Sequence, residues 1–365
     1  MSIQSSSTYL RDPYLEWLAK EGLPVVEGFG VDLLDVETTP WARLGADAAF
    51  VHVAGRGDFV SICVMDIPGG GSTDPQRHLY EEVVYVLSGR GATTIETEGR
   101  EHTFEWGPKS LFALPLNASY RHYNLAGQEP ARLASTMSLP VMMNLFRDEK
   151  FIFDNAHNFG DRFGTESQFA GEGDLIPGPY SRDMWETNFV PDMSQFAEMT
   201  VWVARGAHGG NMQFALADGS LHAHMSEMPM GTYKKAHRHP ADFHVFAVTG
   251  HGYSLFWYEG DDDYNRVDWK HGVVFAPADR MFHQHFNTSA EPARYLATAF
   301  GSARYPITQA KREIYEGTFV DRGSANQIDY ADQDMRVHDM YLEEMRKNGV
   351  EVNMSDFVNT PVQAS

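Results

Sequence analysis

The sequence predicts an all-β protein made of two similar antiparallel barrels in tandem, with short helices near the two ends of the chain. Two observations predict this class. The chain repeats itself at a nearly constant offset, and each copy consists of short β-rich runs separated by turn residues. The composition agrees, because 42% of the 365 residues are hydrophobic and 22% are charged, as in a globular protein with ample core.

The repeat aligns without gaps over its most informative stretches. Residues 76–91 (QRHLYEEVVYVLSGRG) fall on residues 237–252 (HRHPADFHVFAVTGHG), and residues 112–124 (FALPLNASYRHYN) fall on residues 275–287 (FAPADRMFHQHFN). The tetrapeptide EPAR then recurs, and the offset stays between 161 and 163 throughout. We conclude that the chain contains a duplicated domain.

Within each copy, runs of Val, Ile, Phe, Tyr and Thr are broken at close intervals by Gly, Pro or Asn, as in EVVYVLSGRGATTIETEG. Such runs predict strands joined by tight turns. Helices are predicted outside the repeats. One has Asp12 as N-cap and Pro13 as first helical residue and ends near Gly22. Another has an apolar face beginning at Met335 and stops at Gly349.

The repeat also predicts the order of domains along the chain. The segment between the two copies is too aromatic for a free linker, so we expect it to pack across a barrel mouth or a subunit interface. The predicted units are an N-terminal helical extension (1–44), the first barrel (45–144), the connecting segment (145–198), the second barrel (199–310) and a C-terminal extension (311–365).

Charge and cysteine usage narrow the function classes. The formal net charge of −21 makes nucleic acid an unfavourable partner, because an acidic chain repels phosphate backbones. No apolar run approaches a membrane span, and no signal peptide is visible at the N-terminus. Cys63 is the single cysteine, which excludes an intramolecular disulfide and a Cys-based zinc site. These features predict a cytoplasmic protein that binds neither nucleic acid nor membranes.

The second copy carries a set of glycines and histidines at characteristic spacing, namely Gly231, His237, His239, Gly250, Gly272, Pro277, His283 and Asn287. With these residues the chain resembles the bicupins of the cupin superfamily. The resemblance implies that each half is a cupin barrel (a double-stranded β-helix or jelly roll) and that histidines hold a metal. Phe243 departs from the pattern, because it occupies the position of the family's glutamate.

The histidine spacing has a physical reason. His237 and His239 are two residues apart on a strand, so both imidazoles face the same side, and His283 from a facing strand completes the set. Three neutral imidazoles suit Fe(II), Mn, Ni, Cu or Zn, and we expect Fe(II). Ordinary polar positions in a barrel interior are the alternative interpretation. His244 is a further candidate ligand, but only if a bulge turns it inward.

The stretch MFHQHFN is similar to the second histidine motif of gentisate-type ring-cleaving dioxygenases. That resemblance implies that His283 binds iron and that His285 contacts the substrate as a hydrogen-bonding or acid–base group. Arg280, three residues before His283, is the candidate to bind a substrate carboxylate. In the gentisate enzymes we would expect the working metal in the first cupin, whereas here the better site is in the second.

The first copy lacks two of the candidate ligands. Gln76 and Tyr120 stand where the second copy has His237 and His283. Tyr is seldom a ligand except for ferric iron. We therefore expect the first barrel to be structural, although it retains His78, Glu82 and His122.

The leading functional prediction is a mononuclear Fe(II) dioxygenase that cleaves a C–C bond of a hydroxylated aromatic acid or a related enol. The substrate would then be small, anionic and aromatic. A non-oxidative, metal-dependent bicupin (decarboxylase, isomerase or lyase) is the alternative, and a non-catalytic bicupin that binds a small molecule is a third. Paired barrels with edge strands also predict a homo-oligomer.

Overall fold

The computed structural model describes residues 10–179, 182–316 and 325–358. Both predicted helices form. The first begins after Asp12, whose side chain accepts from the Leu15 amide, and ends at Gly22 in the left-handed conformation (φ 70°). The second ends in the same way at Gly349. The helices are α1 (Pro13–Glu21), α2 (Leu139–Phe146), α3 (Glu149–Phe153), α4 (Gln309–Tyr315) and α5 (Met335–Asn348).

Most of the remaining elements are strands. Up to the end of the first copy they are β1 (Val25–Gly28), β2 (Gly30–Asp32), β3 (Thr39–Trp41), β4 (Ala46–Val53), β5 (Ser61–Ile67), β6 (Glu82–Ser88), β7 (Gly91–Thr97), β8 (Arg100–Trp106), β9 (Leu111–Leu114), β10 (Ser119–Asn124) and β11 (Ala131–Met137). In the connecting segment they are β12 (Asp174–Ile176), β13 (Met184–Glu186) and β14 (Phe189–Val190).

The second copy repeats this series. Its strands are β15 (Thr200–Val201), β16 (Gly210–Ala215), β17 (Leu221–Met228), β18 (Ala236–His237), β19 (His244–Thr249), β20 (His251–Trp257), β21 (Asn265–Lys270), β22 (Val273–Phe275), β23 (Phe282–Asn287) and β24 (Ala293–Phe300). After α4 the short β25 (Gln327–Ile328) joins the same half.

The two halves have the same strand order. The larger sheet of the first half runs β1-β4-β5-β11-β6-β9-β14, and the larger sheet of the second runs β13-β16-β17-β24-β19-β22-β2, with β12 outside β13. The smaller sheets are β10-β7-β8 and β21-β20-β23-β18-β25. Each half is therefore a two-sheet, mainly antiparallel barrel of cupin type, and the predicted all-β fold with two tandem barrels is confirmed.

The halves exchange edge strands. β2 lies near the N-terminus but pairs with β22 of the second barrel, whereas β14 lies just before the second barrel but pairs with β9 of the first. Both strands are three residues long or shorter, so each is stable only as an addition to an existing sheet. This exchange covers one edge of each large sheet with chain from the opposite half.

The large sheets face each other across the middle of the molecule. Thr136 and Thr298, the same position in the two copies, meet there with their hydroxyl groups 2.8 Å apart. Around them lies an apolar cluster to which both barrels contribute buried side chains, including Val64, Ala134, Ala223 and Leu296. Burial of this face fixes how the barrels sit relative to each other.

The connecting segment contacts both barrels, because β12 and β13 extend the large sheet of the second barrel and an earlier part packs on the first. Phe163 and Phe169 are buried in the core cluster of the first barrel together with Ile152 of α3.

The range 1–44 contains β1, β2 and β3 in addition to α1, and both predicted terminal extensions reach beyond the described residues. The domain boundaries stay a prediction. None of the described helices combines the length and apolar character needed to cross a bilayer.

Candidate metal centre

Three histidines converge inside the second barrel. β18 carries His237, which pairs directly with His283 of β23, and His239 follows two residues after His237. The ring centroids of His237 and His283 are 4.1 Å apart, and those of His239 and His283 are 4.7 Å apart. One nitrogen of each ring lies within 4.8 Å of the others. The structure thus brings together three of the four predicted ligands.

The hydrogen bonds of these rings indicate which nitrogen is available. Nδ1 of His239 lies 2.8 Å from the Pro240 carbonyl, that of His283 lies 3.2 Å from the Met281 carbonyl, and that of His237 lies 3.3 Å from the Lys235 carbonyl. A carbonyl can only accept, so each Nδ1 carries the proton and each Nε2 keeps a lone pair. Among the described residues, none donates a hydrogen bond to these Nε2 atoms.

Burial keeps the three rings neutral. It lowers the pKa of His283 to about 3 and lowers the pKa values of His237 and His239 well below their ordinary value, with help from nearby cations and neighbouring imidazoles. Neutral imidazole is the form that binds a metal. A set of three neutral nitrogens suits a divalent transition metal with positions left for other ligands, so the residues present fit a metal ion.

His244 lies outside this group. It opens β19, pairs with Thr298, and its Nδ1 contacts the Asp242 carbonyl at 3.1 Å. Its ring is fully buried on the side that faces the first barrel. Burial lowers the pKa of His244, and the nearby charge of Arg56 lowers it further. The preceding Phe243 points toward the centre instead, with its ring 4.5 Å from His239. Regular alternation along the strand therefore turns His244 away from the predicted metal.

His285 stands beside the cluster with a defined tautomer. Trp269 donates from Nε1 to the Ser254 hydroxyl at 3.0 Å, and Ser254 lies 2.8 Å from Nδ1 of His285. Trp269 can only donate, so among the described residues the Ser254 hydroxyl proton has one acceptor within reach, Nδ1 of His285, and the ring carries its own proton on Nε2. The ring centroid is 5.4 Å from that of His283. His285 thus lines the cavity with a donor nitrogen, and its acid–base role stays a prediction.

Arg280, predicted to bind a substrate carboxylate, is an exposed turn residue with a positive φ of 60°. Its amide donates to the His239 carbonyl at 3.1 Å, and its side chain does not line the cavity at the histidines. The cations that do line this cavity are Arg182, Arg205 and Lys234. Sequence reasoning missed the two arginines, because neither belongs to the repeat motifs.

The cavity itself is narrow, with about 40 Å³ of free volume between its lining side chains. Tyr295 lies on its wall and accepts a hydrogen bond from Lys234 at 3.3 Å. Two further histidines, His222 and His224 of β17, lie on another side of the cavity. His224 lines the cavity wall, and its Nδ1 is 2.7 Å from Nε2 of His222.

The equivalent place in the first barrel is filled by hydrogen bonds. The Glu82 carboxylate accepts from the Tyr120 hydroxyl at 2.7 Å and contacts Nε2 of His78 at 3.2 Å. Gln76 turns away to the carbonyls of Arg43 and Asp74. Within the described parts of the chain, this set does not form a metal-type cluster. The first barrel repeats the relay next to His285, with Trp106, Thr93 and His122 in the same order.

Glu82 makes the stability of the first barrel pH-dependent. Burial alone would raise the pKa of Glu82, but the hydrogen bonds and charge of His78, together with Tyr120, lower it to about 2 from 4.5. A lowered folded-state pKa adds stability above the ordinary value and loses it as the pH falls toward 2. We expect Glu82→Gln to lower the free energy of unfolding by on the order of 2–3 kcal/mol at pH 7, and by less below pH ~4.5.

Urea unfolding of both proteins at pH 7, 5 and 3.5 measures this difference. Glu105→Gln, on the exposed face of β8, is the matched control and should leave stability nearly unchanged. A gap between wild type and Glu82→Gln that grows on acidification would contradict the assignment.

The fold and the histidine cluster together define a two-barrel protein of cupin type with a potential metal centre in its second barrel. Neither a protein-family model nor a curated protein matches the sequence. Solved structures of oxalate decarboxylases do resemble it. At sequence identities of 15% and 17%, this similarity concerns the path of the chain alone. The fold is established by the strand pairings of this protein.

One similar structure is the formate complex of the Lactobacillus farciminis oxalate decarboxylase, with a TM-score of 0.48 and 15% identity over 75% of this chain and 86% of that chain. Another is a mutant of the Bacillus subtilis oxalate decarboxylase OxdC, with a TM-score of 0.49 and 17% identity over 77% of this chain and 78% of that chain.

Proposed function

We propose that this protein is a metal-dependent enzyme that performs a non-oxidative reaction, such as decarboxylation, on a small organic anion. The observation that carries the proposal is the cavity of the second barrel. There the three neutral histidines His237, His239 and His283 share one small cavity with the cations Arg182, Arg205 and Lys234. Nitrogen ligands beside unpaired positive charge favour an anionic ligand that also contacts a metal.

The cations on the cavity wall favour a small anion, and they do not distinguish an aliphatic acid from an aromatic one. The aromatic substrate and the gentisate-type reaction rest only on the sequence motif.

Individual residues would divide the work of a decarboxylation. A divalent metal, when bound, supplies a Lewis acid that stabilises negative charge developing on substrate oxygen. Lys234 would orient the carboxylate by charge. His285 would donate the proton from Nε2 that replaces the departing CO2 on carbon, while the electron pair of the broken C–C bond stays with that carbon. Phe243 would exclude water from one side of the reacting group.

A dioxygenase acting on a small enol is the second candidate. Phe243 favours this candidate, because many non-oxidative cupins have a carboxylate ligand at its position. Without that carboxylate, the ligand set consists of three histidines. In such a site the metal keeps its full charge, which favours an electron-rich, chelating substrate.

Elemental analysis of protein purified without added metal, followed by turnover of short 2-oxo and 2-hydroxy acids with and without oxygen, tests the proposal. We expect about one metal atom per chain and equal product formation under both conditions, measured by NMR together with an oxygen electrode. Oxygen consumption equal to product would favour the dioxygenase. Absence of metal even after reconstitution would overturn the metal-dependent function.

A further inference from the structure

The cavity next to the three histidines contains two arginines that pack on one indole. Arg182 lies just before β13, and Arg205 ends a short 3-10 turn (Val203–Arg205) ahead of β16. Their guanidinium carbons lie 4.5 Å and 4.8 Å from the centre of the Trp202 ring. Cation–π contacts of this kind hold a guanidinium in a fixed plane. The pair is thus preorganised by the fold.

Both arginines are buried, yet no carboxylate among the described residues neutralises them. Arg182 is 5% exposed and Arg205 is 7% exposed. Arg182 donates from Nη1 to the Ile314 carbonyl, but its Nε and the Nη1 of Arg205 have no hydrogen-bond partner in the part of the chain that the structure describes. No Asp or Glu of the described chain forms a salt bridge with either. Burial lowers their pKa values only to about 10 and about 9, so both stay charged at neutral pH.

Such an arrangement is unfavourable without a ligand. Buried charges are normally paired, and two unpaired guanidinium groups near each other also repel. Both line the cavity of the three histidines, and the charge of Arg205 lowers the pKa of each of those rings. Since the unpaired donors and the potential metal ligands share one cavity, a single bound molecule can contact both.

We propose that Arg182 and Arg205 form an anion subsite for a second negatively charged group of the substrate, separate from the group that contacts the metal. The substrate is then a short dianion, with a carboxylate or a comparable oxyanion at the end held by the arginines. This inference rests on the proposed function only for the substrate group that contacts the metal. The subsite for the other group consists of Arg182 and Arg205 alone. Arg182 and Arg205 become specificity-determining residues.

A matched pair of probes tests the subsite. Malonate carries two carboxylates, and 3-hydroxypropanoate has the same length with one of them replaced by CH2OH. Calorimetry gives the Kd of each probe for wild type, Arg205→Gln, Arg182→Gln and the conservative Arg205→Lys, with metal-loaded and with chelator-treated protein. Arg266→Gln, which removes a cation from an ion pair on the opposite, solvent-facing side of the smaller sheet, is the control.

We expect Arg205→Gln and Arg182→Gln to raise the Kd of malonate by about tenfold or more, and that of 3-hydroxypropanoate by less than about threefold. Arg205→Lys should lie in between, because it keeps the charge and loses the planar fork. Without ligand, Arg205→Gln should raise the Tm, because it removes an unpaired buried charge. Arg266→Gln should leave both Kd values unchanged.

Equal weakening of both probes together with a lower Tm would overturn the subsite and leave the arginines a structural role. Unchanged malonate binding in the variants would overturn it as well. Metal content measured on the same samples separates the two proposals. If wild type holds no metal but malonate binding still depends on Arg205, the proposed function fails and the subsite stands.

Discussion

Replacing His283 with alanine should remove the metal from the protein. The substitution deletes one of three nitrogen ligands. Mutating a residue that only hydrogen-bonds to a ligand already weakens metal binding by typically 10–100-fold. We therefore expect His283→Ala to weaken it by more than about 100-fold. Metal atoms per chain after dialysis, with competition against a chromophoric chelator, measure the loss. Circular dichroism and Tm establish that the variant is folded.

The internal repeat supplies the control. Tyr120→Phe alters the equivalent position of the first barrel and removes the hydroxyl that donates to Glu82. It should cost about 1–3 kcal/mol of stability, because the carboxylate loses a buried partner, and leave the metal content unchanged. Metal loss from Tyr120→Phe with the fold intact would instead assign the working site to the first barrel.

Replacing Lys311 with methionine should strongly destabilise the second barrel. Lys311 of α4 donates to the Asp242 carboxylate at 2.5 Å, both side chains are buried, and the ammonium lies 3.7 Å from the centre of the Phe243 ring. Removing one partner of a buried ion pair leaves an uncompensated charge, which typically costs 3–5 kcal/mol. We expect a loss of about that size in the free energy of unfolding, measured with urea.

A double-mutant cycle separates charge from packing. In Asp242→Asn combined with Lys311→Met both charges are gone, so the double variant should be more stable than the sum of the single effects predicts. Additive losses would contradict a direct ion pair. Ile314 of α4 lines the cavity, and Tyr315 packs against His222. By anchoring α4, the Asp242–Lys311 ion pair also holds one wall of the site in place.

The histidines of the second barrel could be predicted because their geometry is local. A spacing of two residues on a strand determines which side a ring faces, and the repeat identifies the facing strand. His244 follows from the same rule, since one further residue turns the side chain to the other side. The terminal helices were predictable because Asp12, Gly22 and Gly349 cap them through local hydrogen bonds and positive φ angles.

The remaining features depend on distant parts of the chain. β2 and β14 are too short to show an alternating pattern, and each joins the sheet of the opposite half. Arg182 and Arg205 approach the histidines from the connecting segment and from an irregular turn, which no spacing rule links to a barrel interior. Arg280 is near His283 in sequence, but the left-handed backbone of its turn directs it to the surface.

The contact between Thr136 and Thr298 gives the molecule a local twofold axis. A residue that meets its own copy is what the dyad of an isologous homodimer produces. The chain can thus be regarded as a dimer whose subunits are joined covalently. The loss of translational and rotational entropy that two separate molecules would suffer on pairing is largely removed by the tether. Assembly no longer requires both members to be alike, so one half could lose its ligands and serve as a scaffold for the other.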